Sequence, residues 1–302
     1  MIISASRRTD IPALYSEWFM NRIRARFCTV PNPFNIRQVS EVSLKAEDVD
    51  AIVFWTRYAR PLIQYFKALD ERGFYYYFQY TINGYGPRIE SANPPLENAI
   101  RCFREVSDRL GPERVIWRYD PIILTSVLDT EYHLELFSQI AGNLRGHTLR
   151  CVISLVDFYK KTRRRLSFLA DEEVITEHHP AERSLIRELL IGIQEIARGN
   201  NMEVVTCAEQ TDFSDIGIMP GKCIDDKLLT ELFPGRSFSG KKDPGQRKLC
   251  RCVQSRDIGM NNSCIFGCRY CYANKSDELS GRNYTQNHFP DSPSMLGRYE
   301  SR

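Results

Sequence analysis

Residues 75–82 read YYYFQYTI, a run made almost entirely of aromatic and β-branched side chains. Apolar residues at successive positions are typical of a strand that is buried on both faces of a parallel sheet. Similar runs predict further strands at Ile2–Ser6, Ala51–Thr56, Arg114–Tyr119, Arg150–Val156, Glu203–Cys207 and Val253–Ile258. Strands therefore recur along most of the chain.

Helical patterns separate these strands. The apolar positions between Ile100 and Leu110 recur at spacings of three and four, and Gly111 follows as a stop signal. Comparable patterns cover residues 130–144 and 185–196. Alternating strands and helices predict an α/β fold with a parallel sheet, either closed as a barrel or open and doubly wound. We favour a (β/α) barrel, complete, incomplete or permuted, because the repeats outnumber those of flavodoxin-like folds and no Gly-rich fingerprint follows the first strand.

The composition divides the chain into three regions. Residues 1–235 form the predicted barrel body, with a hairpin inserted at Phe27–Leu44. Residues 236–274 hold the last strand and a cysteine-rich cluster loop, which together close the barrel. Residues 275–302 are polar and lack a pattern, which predicts a disordered tail.

Composition and charge exclude several classes of protein. With 42% hydrophobic and 26% charged residues, the chain has the composition of a folded protein. No apolar run is long enough to span a membrane and the start lacks a signal-peptide pattern, so we expect a cytoplasmic protein without a membrane partner. A net charge of +3 gives no argument for nucleic acid. The basic run Lys160–Arg165 is open to two interpretations, a solvated segment or a patch that contacts the phosphates of nucleic acid.

Charged side chains follow the predicted strands at their carboxyl ends, where parallel barrels build their active sites. They are Arg7, Arg8, Asp10, Arg57, Arg118, Asp120 and Glu209. Taken singly, such residues pair with one another or cap the next helix. Taken together, the four arginines predict a site for a substrate or cofactor that carries a carboxylate or a phosphate.

Seven of the ten cysteines lie between Cys207 and Cys271. In a reducing compartment, clustered cysteines are expected to bind metal or to react as thiols rather than to form disulfides. Cys264, Cys268 and Cys271 are spaced C-x3-C-x2-C, and Gly267 allows the tight turn that brings three thiolates to one [4Fe-4S] cluster. Three ligands leave one iron open to bind a small molecule.

The other four cysteines of this region equal the ligand number of a second, closed site. They are Cys207, Cys223, Cys250 and Cys252. Such a site would hold a second [4Fe-4S] cluster or zinc. Alternatively, one of the four completes the first cluster, which then serves electron transfer or a structural role.

The triplet and its aromatic neighbour Tyr270 resemble the C-x3-C-x-aromatic-C motif of the radical S-adenosylmethionine (SAM) superfamily. The resemblance implies that SAM binds the open iron, that a reductant such as flavodoxin or ferredoxin supplies an electron, and that SAM is cleaved to a 5′-deoxyadenosyl radical. The run from Gly267 to Ala273, GCRYCYA, is similar to the branch that includes spore photoproduct lyase. The chain from the opening IISASRRTDIP to the closing CYAN also resembles a bacterial family known as domain of unknown function 1848, which implies no reaction.

The motif stands at an unusual place in the chain. In radical SAM enzymes it follows the first strand of the barrel, whereas here it follows the last predicted strand, Val253–Ile258. A permuted barrel reconciles the two, because a last strand beside the first would bring the cysteine loop to the same end of the sheet. We therefore predict a [4Fe-4S] radical-SAM-like enzyme that acts on an anionic small molecule. The alternative is a non-catalytic iron–sulfur or zinc protein that transfers electrons or binds a partner or nucleic acid.

Overall fold

The computed structural model describes residues 1–157, 160–166 and 180–300. The described strands are β1 (Ile2–Ala5), β2 (Phe27–Asn32), β3 (Asn35–Ser43), β4 (Ala51–Thr56), β5 (Tyr76–Thr81), β6 (Val115–Ile122), β7 (Arg150–Leu155), β8 (Glu203–Thr206), β9 (Met219–Pro220) and β10 (Arg256–Asp257). The described α-helices are α1 (Ile11–Leu14), α2 (Ser16–Ala25), α3 (Arg60–Ile63), α4 (Phe66–Asp70), α5 (Leu96–Leu110), α6 (Thr130–Leu144), α7 (Lys160–Arg165), α8 (Pro180–Gly199), α9 (Asp226–Leu232) and α10 (Asp277–Gln286).

Eight of these strands form one parallel sheet in the order β10-β1-β4-β5-β6-β7-β8-β9. The predicted α/β class with a large parallel sheet is confirmed. The last strand of the sheet in chain order, β10, lies beside the first, since Ile3 pairs with Arg256 in parallel, and this is the neighbour relation that a permuted barrel requires. β2 and β3 pair separately as the predicted antiparallel hairpin. The sequence did not predict β9, because two residues are too short to show a pattern.

The sheet is buried on both faces. On one face, Phe54 and Trp117 pack against helix residues such as Phe19 and Phe137. On the other face, residues of β4 to β8 pack against the segments around α9 and before β10, and this cluster includes Val53, Tyr77, Ile116, Val152, Val205, Ile224 and Val253. Apolar side chains are therefore needed at both odd and even positions of the strands, which is why the strands read as continuous apolar runs.

The two ends of the sheet approach each other next to β9 and β10. The Val253 N–H donates a hydrogen bond to the Ile224 carbonyl oxygen at 3.1 Å. Ile224 lies four residues after the end of β9, and Val253 lies three residues before β10. No helix in the described part of the chain is both long and apolar enough to cross a membrane.

The region after residue 275 differs from the predicted disordered tail, because residues up to 300 are described and α10 lies among them. The Ser276 side chain caps this helix by accepting a hydrogen bond from the Leu279 N–H. Farther along, the Trp18 indole N–H donates to the Ser292 carbonyl oxygen at 3.0 Å, and Met295 is fully buried. These contacts join the tail to residues more than 250 positions away, so local polarity gave no sign of them.

His133, on α6, provides a test of the core. Its side chain is fully buried, with Nδ1 at 2.8 Å from the Tyr119 hydroxyl and Nε2 at 3.0 Å from the Ile123 carbonyl oxygen. Burial lowers the pKa of His133 to about 4. The unfolded chain takes up this proton near pH 6.5, so the stabilisation is complete above that pH and is lost as the pH falls toward 4.

We therefore expect the free energy of unfolding to fall by about 2 kcal/mol between pH 7.5 and pH 5.0 through His133. The measurement is urea denaturation at both pH values in the wild type and in His133→Gln, because the difference between the two proteins cancels the other titrating groups. The replacement His147→Gln, near the helix end, is the matched control and should keep the wild-type pH dependence. If the free energy of unfolding falls by the same amount between pH 7.5 and pH 5.0 in the wild type and in His133→Gln, burial of His133 does not cause the loss.

Candidate functional site

The carboxyl ends of the parallel strands surround a cavity of about 480 Å³. Residues in the last part of β1, β4, β6, β7, β8 and β9, or in the segments that follow these strands, line it, as expected for parallel α/β folds. All seven clustered cysteines reach this one cavity, namely Cys207, Cys223, Cys250, Cys252, Cys264, Cys268 and Cys271. The pairing of β10 with β1 brings the end of the chain to this position.

The loop with the cysteine triplet is held against the segment that follows β5. The Ala92 N–H donates to the Phe266 carbonyl oxygen at 3.1 Å, and the Arg269 N–H donates to the Ile89 carbonyl oxygen at 2.9 Å. Between them, Gly267 has a φ of +66°. This left-handed conformation favours glycine, and it turns the chain between Cys264 and Cys268. The predicted role of Gly267 in the turn is therefore seen in the backbone.

A buried polar network lies behind the triplet. Arg57 forms an ion pair with Glu90 at 2.8 Å, and both residues hydrogen-bond to the Tyr270 hydroxyl. The Asn83 amide donates to the same hydroxyl at 3.0 Å and to Glu90 at 3.3 Å. Tyr270 thereby gains a specific role, because it connects the cysteine loop to the ends of β4 and β5.

Two thiols of the triplet, those of Cys264 and Cys268, have raised pKa values. Burial raises the pKa of Cys268 to about 11, although the Arg57 guanidinium acts in the opposite direction. Burial also raises the pKa of Cys264, and the other two thiols of the triplet raise it further. The side-chain amide of Asn93 donates to Cys268 Sγ at 3.6 Å. A positive group that binds all three sulfurs would remove the penalty for deprotonating them.

The other four cysteines form a second group on the same cavity. Cys207 Sγ lies 3.2 Å from Cys223 Sγ, and the Arg118 guanidinium donates to Cys223 Sγ at 2.8 Å. The neighbouring thiols of Cys223 and Cys250 lower the pKa of Cys252. The hydrogen bond from Cys223, together with Arg118, lowers the pKa of Cys207 to about 6 despite its burial. The pKa values of Cys223 and Cys250 are raised by their neighbours, so the group favours thiolates at Cys207 and Cys252 and thiols at the other two positions.

The described residues do not contain three or more His, Cys, Asp or Glu side chains already arranged around a single metal ion. A cubane cluster is bound differently from a single ion, since each protein sulfur binds its own iron atom and the sulfurs do not converge on one point. The sulfur chemistry of both groups therefore remains compatible with a cluster or a soft cation.

The structure distinguishes the four predicted arginines by their partners. Arg57 is paired with Glu90, and Arg118 is paired with Asp120. Arg8 donates to the Gly259 carbonyl oxygen at 3.4 Å. All four arginines and Asp120 line the cavity.

Arg7 has the simplest surroundings of the four. Its Nη1 donates to the Ser255 hydroxyl at 3.4 Å, and its guanidinium carbon lies 5.3 Å from the centre of the Trp55 ring. Its buried Nη2 has no hydrogen-bond partner among the described residues, and the same is true of the Thr9 hydroxyl and the Trp55 indole nitrogen. These three groups, all lining the cavity, are available to a ligand.

Asp10 has contacts that fit a structural role. Its carboxylate caps α1 and accepts hydrogen bonds from the Thr56 hydroxyl at 2.8 Å and the Arg57 N–H at 2.6 Å. Burial raises the pKa of Asp10 to about 7. Asp10 still lines the cavity.

Glu209 and the basic run are placed elsewhere. Glu209 accepts a hydrogen bond from the Leu155 N–H at 3.0 Å and does not line the cavity. In the basic run on α7, Arg165 forms an ion pair with Asp277 at 2.5 Å. This residue therefore joins α7 to α10 rather than forming part of an open cationic surface.

Several residues of the site were not predicted as such. Asp257 accepts hydrogen bonds from the Ser4 and Ser6 hydroxyls and from the N–H groups of Arg7 and Gly259. Glu90 lies in an irregular segment with no motif. Asp257 lies inside the predicted strand Val253–Ile258, where a single carboxylate gave no signal of a role in the site, and Glu90 had none either.

Comparison with known proteins gives a family and no reaction. No curated protein matches the chain. One family model matches residues 2–273, which is nearly the whole chain and includes all seven clustered cysteines. The chain therefore belongs to the family described as Domain of unknown function (DUF1848).

Proposed function

We propose that the protein is a radical-SAM-like enzyme that holds one [4Fe-4S] cluster on Cys264, Cys268 and Cys271. One observation carries the proposal. The triplet belongs to the end of the chain, yet it lines the cavity at the carboxyl ends of the parallel strands, together with arginines from β1 and β4. A cluster with one iron free of protein ligands would face the space in which a substrate would bind.

The residues around the triplet fit a cluster. Gly267 lets the loop turn, and two backbone hydrogen bonds fix the loop on either side of it. The Arg57 guanidinium acts to lower the pKa of Cys268, against the larger effect of burial. The positive charge of Arg57 would offset part of the negative charge of a thiolate-bound cluster.

The chain's own residues would bind and orient the substrate. Arg7 Nη2 is a buried cationic donor without a partner among the described residues, so it suits a carboxylate or phosphate group. The Trp55 indole N–H and the Thr9 hydroxyl add neutral donors. Arg57 and Arg118, which are paired with Glu90 and Asp120, would keep the wall of the site in place.

Cys264, Cys268 and Cys271 would hold the cluster, which would supply the one electron needed for cleavage of SAM to methionine and a 5′-deoxyadenosyl radical, and the cavity residues would place the substrate for loss of a hydrogen atom to that radical. The electron would come from flavodoxin or ferredoxin, as the cytoplasmic location that we propose allows. The proposal also takes the eight-stranded sheet to be a closed, permuted barrel, which the hydrogen bond between Val253 and Ile224 supports.

The experiment is anaerobic reconstitution of the full chain with iron and sulfide, followed by dithionite and SAM. We expect about four iron atoms on the triplet, release of 5′-deoxyadenosine, and a change in the EPR spectrum when SAM is added. Cys268→Ala should abolish the release of 5′-deoxyadenosine. Cys102→Ala is the matched control, because Cys102 is a buried thiol of α5 that does not line the cavity.

Two results would count against this function. If the cluster forms but SAM stays intact and leaves the EPR spectrum unchanged, a non-catalytic electron-transfer protein is the better account. If zinc binds in place of iron at the triplet, the cluster itself is excluded.

A further inference from the structure

The second group of cysteines is assembled from three separate parts of the chain. Cys207 follows β8, Cys223 follows β9, and Cys250 and Cys252 precede β10. They therefore lie where the two ends of the sheet approach each other, beside the hydrogen bond between Val253 and Ile224. A group that bound all four sulfurs would connect these ends.

The four thiols are buried together. Cys223, Cys250 and Cys252 are at most 8% exposed and belong to the same apolar cluster as Val205 and Ile224. Cys207 Sγ and Cys223 Sγ lie 3.2 Å apart, and Cys250 and Cys252 line the same cavity beside them. Apolar packing alone does not require four thiols from separate segments to meet.

Two guanidinium groups lie near the four thiols. The Arg118 guanidinium donates to Cys223 Sγ at 2.8 Å. Arg7, after β1, lines the same cavity, and its positive charge acts to lower the pKa of Cys252. Guanidinium groups beside sulfur stabilise thiolates, the form of cysteine that binds metal.

The spacing of the sulfurs distinguishes a single ion from a cluster. A tetrahedral ion with Zn–S bonds of about 2.3 Å places its sulfurs about 3.8 Å apart. Cys207 Sγ and Cys223 Sγ, 3.2 Å apart, need to separate by only about half an ångström to reach that spacing. Cys250 and Cys252 would also have to turn toward this pair, because the described side chains do not already converge on a single ion. A cubane would have to push the sulfurs much farther apart, since it puts a different iron atom at each of them.

We propose that Cys207, Cys223, Cys250 and Cys252 bind one Zn²⁺ ion that fastens the end of β8 and the segment after β9 to the segment before β10. Each thiol that binds releases its proton to solvent, so four thiolates replace the present sulfur contacts. The ion has a structural role, because all four positions are taken by protein. It anchors the segment that leads into β10, and so fixes the start of the triplet loop. The proposal does not depend on a cluster at the triplet.

The test compares metal content in three full-length proteins purified without oxygen and without added chelator. They are the wild type, Cys223→Ala/Cys252→Ala, and Cys264→Ala/Cys268→Ala/Cys271→Ala. We expect about one zinc per chain in the wild type and in the triple variant, and less than about a tenth of that in the double variant. Iron should be retained in the wild type and in the double variant and lost from the triple variant. This difference separates the present proposal from the proposed function.

A second measurement does not require the double variant to fold. Co²⁺ added to the metal-free triple variant should give the thiolate charge-transfer and d–d bands of a tetrahedral tetrathiolate site, and Zn²⁺ should displace them. Three outcomes would overturn the proposal: zinc that is unchanged in the double variant, about four irons per chain bound by the triple variant, or a Cys207–Cys223 disulfide found by mass spectrometry in protein purified with no metal.

Discussion

Replacing Asp257 with asparagine is expected to lower the free energy of unfolding by about 3 kcal/mol. One carboxylate oxygen accepts hydrogen bonds from the Ser4 hydroxyl and the Arg7 N–H, and the other accepts from the Ser6 hydroxyl and the Gly259 N–H. An asparagine amide would turn its NH2 group toward one of the two backbone N–H groups in either orientation. That N–H would lose its acceptor in a largely buried position.

The measurement is urea denaturation of the full chain at neutral pH. The matched control is Asp215→Asn, which makes the same chemical change at an exposed aspartate paired only with Arg187 at the surface, and it should leave the midpoint nearly unchanged. The proposed function adds a second result, because Asp257 joins β10 to the end of β1 and so positions the cysteine loop. We expect Asp257→Asn to retain less iron. A loss of stability no larger than that of Asp215→Asn would show that Asp257 does not hold the two strands together.

Gly267→Ala is expected to cause the second large loss of unfolding free energy, because it strains the backbone and also brings a new Cβ against Ser91. A residue other than glycine at a φ of +66° costs about 1 to 2 kcal/mol. The new Cβ would also lie 2.1 Å from the Ser91 hydroxyl oxygen, a distance at which one of the two must move. Overpacking of this kind costs about 1 to 3 kcal/mol, so the total is about 2 to 5 kcal/mol. We expect a matching loss of stability and a lower iron content after reconstitution.

Two further variants separate these terms. Gly235→Ala introduces a Cβ at a φ of +86° with no atom within 4 Å, so it should show the backbone cost alone. Ser91→Ala/Gly267→Ala removes the hydroxyl that the Cβ would meet and should recover part of the stability lost in Gly267→Ala. If Gly267→Ala and Gly235→Ala destabilise equally, the contact with Ser91 does not restrict the loop.

The predicted strands show how far local pattern can go. Ala51–Thr56 was predicted with the bounds that β4 has, and the run YYYFQYTI contains β5, because a strand buried on both faces needs apolar side chains at every position. A local apolar pattern does not predict β9, which has only two residues, and it does not predict the segment after Gln286. That segment is held by hydrogen bonds to Trp18 and Thr29, which local polarity does not reveal.

The sequence predicted several of the residues that line the cavity, but it did not predict which of these side chains contact each other. Strand ends predicted Arg57 and Arg118 at one cavity, and both line it. Their carboxylate partners, Glu90 and Asp120, and the contact of Arg118 with Cys223 depend on where neighbouring strands end relative to one another. As a result, of the four predicted arginines Arg7 is the one with a buried side-chain nitrogen that has no hydrogen-bond partner among the described residues.

The sequence by itself determined the α/β class, the parallel sheet and the two sets of cysteines, because hydrophobic periodicity and cysteine spacing are local properties of the chain. Only the tertiary structure decided that β10 lies beside β1, which brings the triplet at the end of the chain to the cavity of the strand ends. It also decided that Cys207 and Cys223 come into contact beside the cavity that Cys250 and Cys252 also line, where the two ends of the sheet approach each other. Such contacts depend on strand order and register, which join residues that are remote in sequence and leave no local signal.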